Sequence, residues 1–151
     1  MFIWLNVLLT MMFLPVALLF GKIKRVGLCK DAVNDQVNEA FPVSKWTPYL
    51  DLEPRGWFRC WMERNGIGGM ACLGYVFIQQ RHELIVFHEC VHVMQQSAVS
   101  PALIGLTYLL DIIVFLPWRG WFKEGEAKRV STVEVVAYRV TGQDEWSSGQ
   151  D

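Results

Sequence analysis

The first pattern along the chain is an apolar run from Phe2 to Phe20, broken only by Asn6, Thr10 and Pro15. As a helix rising about 1.5 Å per residue it is roughly 28 Å long, close to the hydrocarbon thickness of a bilayer. No basic residue precedes the run and no small-x-small cleavage site follows it, so an uncleaved anchor over residues 1–21 is expected rather than a signal peptide. Lys22, Lys24 and Arg25 come directly after it. The positive-inside rule then predicts a single-pass membrane protein whose following domain is cytoplasmic.

Residues 22–55 read as a linker with an accessory helix. Ala32, Val33, Val37 and Ala40 or Phe41 recur at helical spacing over Lys30 to Phe41, Pro42 ends the pattern, and Pro48 and Pro54 mark an irregular connection. Gly56 to Met62 is aromatic-rich and strand-like, Asn65-Gly66 is a turn signal, and Ala71 to Gln79 is the clearest strand. A helix is predicted from about His82 to Ser97. Ser100-Pro101 opens another apolar segment lasting to Trp118, and Ser131 or Thr132 opens a last helix to about Thr141. Residues 143–151 form a polar tail. The whole predicts an α+β fold: a transmembrane helix, then a small domain over residues 56–142 with a short antiparallel sheet and two site-bearing helices.

Composition sharpens this picture in two places. The chain is 52% hydrophobic, and residues 1–20 alone hold 17 of those side chains without a single charge. Without them the remainder falls to the ordinary globular range of about 45–50%. A net charge of −1 and a pI near 6.3 provide no basic field, so nucleic acid is not an expected partner. The four cysteines, Cys29, Cys60, Cys72 and Cys90, lack CxxC spacing and are expected as reduced thiols in a cytoplasmic domain. With the opposite orientation, a Cys60–Cys72 disulfide becomes conceivable.

The chemistry lies in His88-Glu-Cys-Val-His92, an H-E-x-x-H motif on the predicted helix. Histidines at i and i+4 stand about 40° apart around a helix, so both imidazoles can hold one metal ion. Glu89 projects beside them, placed to act as general base toward a metal-activated water. Zinc suits two imidazoles and a carboxylate. Only three histidines occur in the chain and two are in the motif; the third, His82, falls off the metal-facing side and reads as structural or pocket-lining. For the third ligand Glu134 is preferred, because its predicted helix is otherwise mostly apolar. Ser131-Thr-Val-Glu134 also fits a capping box, in which the glutamate only caps its own helix. Glu126 is the next candidate.

Phe87-His-Glu-Cys-Val-His-Val-Met-Gln-Gln96 resembles the active-site helix of gluzincin-type zincin metallopeptidases, and is especially similar to small bacterial and phage zincin-like domains. Glu134-Val-Val-Ala-Tyr138 resembles the E-x-x-A-Y segment of their second helix. The resemblance covers about residues 56–141. It implies Zn2+ on His88, His92 and Glu134, Glu89 as general base, and Gly74–Gln79 as an edge strand along which a peptide or protein substrate pairs. Tyr138 would either donate to a transition-state oxyanion or pack. The separation of His92 from Glu134 is longer than in thermolysin-like enzymes.

That separation contains Ala98 to Trp118, apolar apart from Asp111 and a few small polar residues. Its length permits a second span, but one crossing would put the histidines and Glu134 on opposite sides of the membrane, and Asp111 in mid-bilayer costs a few kcal/mol. The segment is therefore expected to be buried, re-entrant or interfacial, with Trp118, Arg119, Trp121, Phe122 and Lys123 as an interfacial anchor or a cover for the core. The expected function is a membrane-anchored zinc-dependent metallopeptidase with the lipid bilayer as a partner. The alternative is a non-catalytic membrane accessory or partner-binding protein on the same scaffold.

Overall fold

A computed structural model of the chain describes residues 2–79, 82–107, 109–110 and 132–141. It divides into two units, Met1–Pro101 and Ala102–Asp151. The first begins with helix α1 (Ile3–Phe20), which runs without a linker into strand β1 (Gly21–Leu28). Helix α2 (Asp35–Ala40), strand β2 (Pro48–Pro54), helix α3 (Gly56–Arg64), strands β3 (Gly69–Cys72) and β4 (Tyr75–Ile78) and helix α4 (Glu83–Ala98) follow. In the second unit the backbone is helical at 102–107 and 109–110, continuing from Pro101, and in helix α5 (Thr132–Thr141).

The four strands form one sheet in the order β1-β2-β4-β3. It is mixed: β1 and β3 run antiparallel to their neighbours, while β2 and β4 pair in parallel with Leu52 opposite Phe77. This differs from the antiparallel sheet expected. Half of the sheet comes from the segment that reads as a linker, because β1 carries three cations in eight residues and so lacks the apolar density of a buried strand. Its partner β2 supplies the buried face, with Leu52 fully enclosed beside Tyr75, Phe77, Phe58 and Met62.

Three local readings change. Gly56 to Met62 is helical, not extended: Phe58 and Met62, four residues apart, are the positions α3 buries, while Trp57 and Trp61 stay exposed. A helical face of aromatics imitates a strand over seven residues. Asn65-Gly66 therefore closes α3, with Gly66 at φ +63° and the Ile67 N–H donating to the Met62 carbonyl. The hairpin lies further on, where Cys72 pairs with Tyr75 across Leu73-Gly74. The single strand expected over Ala71 to Gln79 is thus two, and Leu73 takes the left-handed turn position at φ +56°. The accessory helix is also shorter than expected. It breaks into a 3-10 turn at Cys29–Asp31 and α2, because Asn34 caps α2 by accepting the Val37 N–H at 2.9 Å.

Helix α1 is the one helix among the described residues long and apolar enough to cross a membrane. It is also packed on the domain. Its Asn6 Nδ2 donates to Ser97 Oγ at 2.7 Å, and the Phe2 N–H donates to the Ser97 carbonyl at 2.7 Å. The Thr10 hydroxyl accepts the Gly74 N–H at 2.9 Å, the Tyr75 hydroxyl donates to the Thr10 carbonyl, and Ala17 enters the core with Leu52 and Met62. Close approach at Gly74 needs glycine: a Cβ there would stand 2.7 Å from Thr10 Oγ1.

Candidate metal centre

Helix α4 forms where the motif places it. His82, in extended conformation, is its N-cap, with Nδ1 accepting the Leu84 N–H at 3.3 Å, and Glu83 sits in the positive first turn. His82 is therefore a structural residue. From Phe87 to Met94 every side chain is buried, because β3 and β4 cover one side of the helix and α1 and the turns at Cys29–Asp31 and Pro42–Trp46 pack on others. A helix enclosed this way has no solvent face on which to leave histidines, so His88 and His92 point into the protein interior, 6% and 4% exposed.

The two imidazoles converge. His88 Nε2 and His92 Nε2 are 3.1 Å apart, with ring centroids 4.8 Å apart and planes at 81°. Two nitrogen ligands at about 2.0–2.1 Å from one zinc ion stand roughly 3.3–3.4 Å apart in ideal tetrahedral coordination, so the pair needs to open by only a few tenths of an ångström to share an ion. At that distance one ring can donate Nε2–H to the other, the direction depending on the tautomers. On the far side of the second ring, His92 Nδ1 stands 2.9 Å from Gln95 Oε1. An Nδ1–H donated to that amide oxygen fixes the tautomer that leaves Nε2 its lone pair.

Glu89 leaves the helix about 100° from His88, on the side of the sheet. It is 6% exposed and lies against Gly69 of β3, where a Cβ would come within 2.9 Å of Glu89 Oε1 and 2.6 Å of Ile85 Cγ2. The strand beside the motif is therefore β3, one of the sheet's two edges. The Gly74–Gln79 segment expected in that role holds β4, which is interior, between β2 and β3. Cys90, inside the motif, and Cys29 are fully buried. A hydrogen bond with the Cys29 thiol, together with burial, pushes the Cys90 thiol well above its ordinary range. Cys60 and Cys72 are free thiols, so no disulfide joins them.

Among the described residues no group of three or more His, Cys, Asp and Glu side chains converges on one point. The structure brings His88 and His92 together. Glu134 and Tyr138 fall on α5, as the sequence places them, but their side chains lie outside what is described. Asp111, Glu126, the aromatic-basic stretch from Trp118 to Lys123 and the tail over 143–151 lie outside the described residues.

Sequence reasoning passes over Gly69 and Gln95. Gly68-Gly69 follows the Asn65-Gly66 turn signal in the sequence, and only the sheet order reveals Gly69 as the clearance for Glu89. Gln95 was legible, three residues after His92 and so on the same helical side. Comparison with protein-family models, with curated proteins and with solved structures returns no match.

Proposed function

We propose that the protein is a zinc-dependent peptidase held at a membrane by α1, with its domain on the cytoplasmic side. The observation that carries this reading is the convergence of His88 and His92 Nε2 at 3.1 Å on the helix that also presents Glu89. His88 and His92 would hold the ion, with Glu134 as the preferred third ligand and Glu126 as the next. Bound zinc would supply Lewis acidity toward a peptide carbonyl.

The chain's own residues do the rest. Gln95 holds the His92 ring in one tautomer. Glu89, enclosed beside β3, takes a proton from the attacking water and delivers it to the leaving amine. Edge strand β3 gives an extended peptide a row of backbone groups to pair with, next to that carboxylate. Tyr138 would donate a hydrogen bond to the developing oxyanion. Lys22, Lys24 and Arg25, just past the end of α1, suit the anionic cytoplasmic leaflet whether α1 crosses it or lies along it.

The test is metal content and peptide hydrolysis of purified protein, for wild type, His92→Ala and Glu89→Gln. Stoichiometric zinc is expected in wild type and Glu89→Gln, with hydrolysis lost in Glu89→Gln and zinc lost in His92→Ala. Wild type that takes up no zinc on titration refutes the reading. Zinc bound by wild type without hydrolysis of any peptide in a diverse mixture would assign it to the non-catalytic alternative.

A further inference from the structure

We propose that α1 lies in the plane of one leaflet as the membrane-seating face of the domain, rather than crossing the bilayer as a detached anchor. The inference deepens the membrane half of the function above and stands apart from its zinc half.

The argument begins with which side of α1 is occupied. Ile3, Asn6, Thr10 and Ala17 are its buried positions, at spacings that keep them on one stripe, and they meet the domain at Ser97, Gly74 and the Leu52 core. Asn6 and Thr10 are the only polar residues of the helix, and both are spent on that contact. The opposite side is wholly apolar and open: Trp4 is 83% exposed, Leu19 77%, and Leu8, Met11 and Met12 each more than half. An apolar patch running the length of an 18-residue helix marks a membrane or partner surface.

The attachment excludes a simple crossing. Contacts to the domain extend from Phe2 to Ala17, roughly 22 Å of helix. A transverse α1 would carry β2, with Asp51 and Glu53, and α4, with its histidines, into hydrocarbon beside it. Each charge taken there costs a few kcal/mol. Lying flat, the same helix immerses only its outward side, about 5–10 Å deep, and leaves the domain in water.

Two neighbouring features identify lipid as the occupant. At the end of α1, Phe20 packs edge-on against Trp57 and Phe58 of α3 at 5.7 and 5.5 Å, and Trp61 stacks on Phe58 at 5.8 Å. Trp57 stays 68% exposed, with Arg55 two residues before it, Arg64 two helical turns after it on α3, and Lys22 two residues past Phe20. Amphipathic indoles beside basic groups suit the headgroup layer, and the cations complement anionic lipid. Along the flank of α1, Val7 and Met11 meet Val26, Pro48 and Leu50 in an apolar cleft of about 180 Å³, so the apolar surface continues onto the β1 side of the sheet.

The experiment uses the full chain with an N-terminal epitope and a cysteine in place of exposed Glu39, in a Cys60→Ser, Cys72→Ser background. In sealed membrane vesicles of one orientation, epitope digestion and labelling by an impermeant maleimide are expected on the same side. Epitope and cysteine on opposite sides overturns the proposal in favour of a crossing. In a second arm, protein freed of detergent is floated with phosphatidylcholine–phosphatidylglycerol vesicles. Leu8→Glu with Leu19→Glu, both at exposed positions, is expected to lower the floated fraction at least tenfold while zinc uptake and circular dichroism stay unchanged. Arg55→Gln with Arg64→Gln is expected to remove the preference for phosphatidylglycerol. Wild type that remains a vesicle-free dimer would assign the face to a second copy and overturn the lipid assignment. Absence of zinc binding would refute the peptidase reading and leave the topology result intact.

Discussion

Replacing Gln95 with leucine tests the proposed metal centre at a residue that is not among its proposed ligands. The Gln95 amide oxygen is 2.9 Å from His92 Nδ1, and the side chain is only half-buried, so the change opens no cavity. It removes the acceptor that fixes the tautomer. Half or more of the His92 rings can then carry the proton on Nε2, and the ring regains rotational freedom. Loss of a partner of this kind costs about 10–100-fold in metal affinity, which at about 1.4 kcal/mol per decade is roughly 1.4–2.7 kcal/mol. Competition against a chromophoric zinc chelator at pH 7.5 measures it directly, with circular dichroism as the control for folding. Gln95→Glu gives the opposite sign, because a carboxylate accepts a stronger, charge-assisted bond from Nδ1–H. A dissociation constant for Gln95→Leu within twofold of wild type would refute the orienting role, and an unchanged constant in His92→Ala would refute the site itself.

Gly74→Val places a Cβ 2.7 Å from Thr10 Oγ1 and disturbs the Gly74 N–H bond to that hydroxyl. It is expected to destabilise the packing of α1 by about 1–3 kcal/mol, seen as earlier proteolysis between α1 and β1 in a limited digest. Gly69→Ala forces Glu89 and Ile85 away from β3, and is expected to lower peptide hydrolysis while zinc content stays stoichiometric. Ellman titration is expected to find two accessible thiols, Cys60 and Cys72, in the native protein and four after denaturation, since Cys29 and Cys90 are fully buried. Burial pushes the Tyr49 phenol above its ordinary value of 10.0, with the nearby Cys90 thiol adding to the shift. The unfolded chain then ionises first, so this contribution to stability is complete below about pH 10 and is lost as pH rises through the folded value. Denaturation midpoints between pH 8 and 11, with phenolate absorbance, check it.

The elements that sequence periodicity located well are those whose neighbours leave the pattern intact. Helix α4 appears within a residue of its expected ends, because a polar start at His82 and a long apolar stretch define it locally. Helix α5 opens at Thr132 for the same reason. The sheet was harder to read. β1 is an edge strand whose exposed side carries Lys22, Lys24 and Arg25, with Lys24 paired to Glu53 at 2.6 Å. Its placement depends on β2, some twenty residues later, and no local period encodes that partner. The parallel pairing of β2 with β4 likewise rests on α3 carrying the chain past the place of β4 to β3, which runs antiparallel back to where β4 starts. A short aromatic segment such as Gly56 to Met62 is ambiguous by pattern, and what decides it is that Phe58 and Met62 reach one core. Of the site, the histidine pair and Glu89 were visible at fixed spacing. The clearance at Gly69 was not, since it exists only once β3 lies beside α4.

Asn6 and Thr10 show why hydropathy alone misdescribes α1. Averaged over a window they are minor blemishes in a span, and the mean hydropathy of 2.2 over Ile3–Phe20 barely registers them. Placed on a helix, they fall on one stripe, one turn apart, and that stripe meets Ser97 and Gly74. In hydrocarbon an unmatched amide would be costly, so a residue such as Asn6 needs a polar partner wherever the helix resides. Here the partner is Ser97, five residues beyond His92 on the same helix. Helix α1 and the helix that presents the histidines are therefore hydrogen-bonded to one another at Ser97. On the proposed seating, whatever fixes the depth of α1 at a membrane would also fix the orientation of α4 and of Glu89 on it.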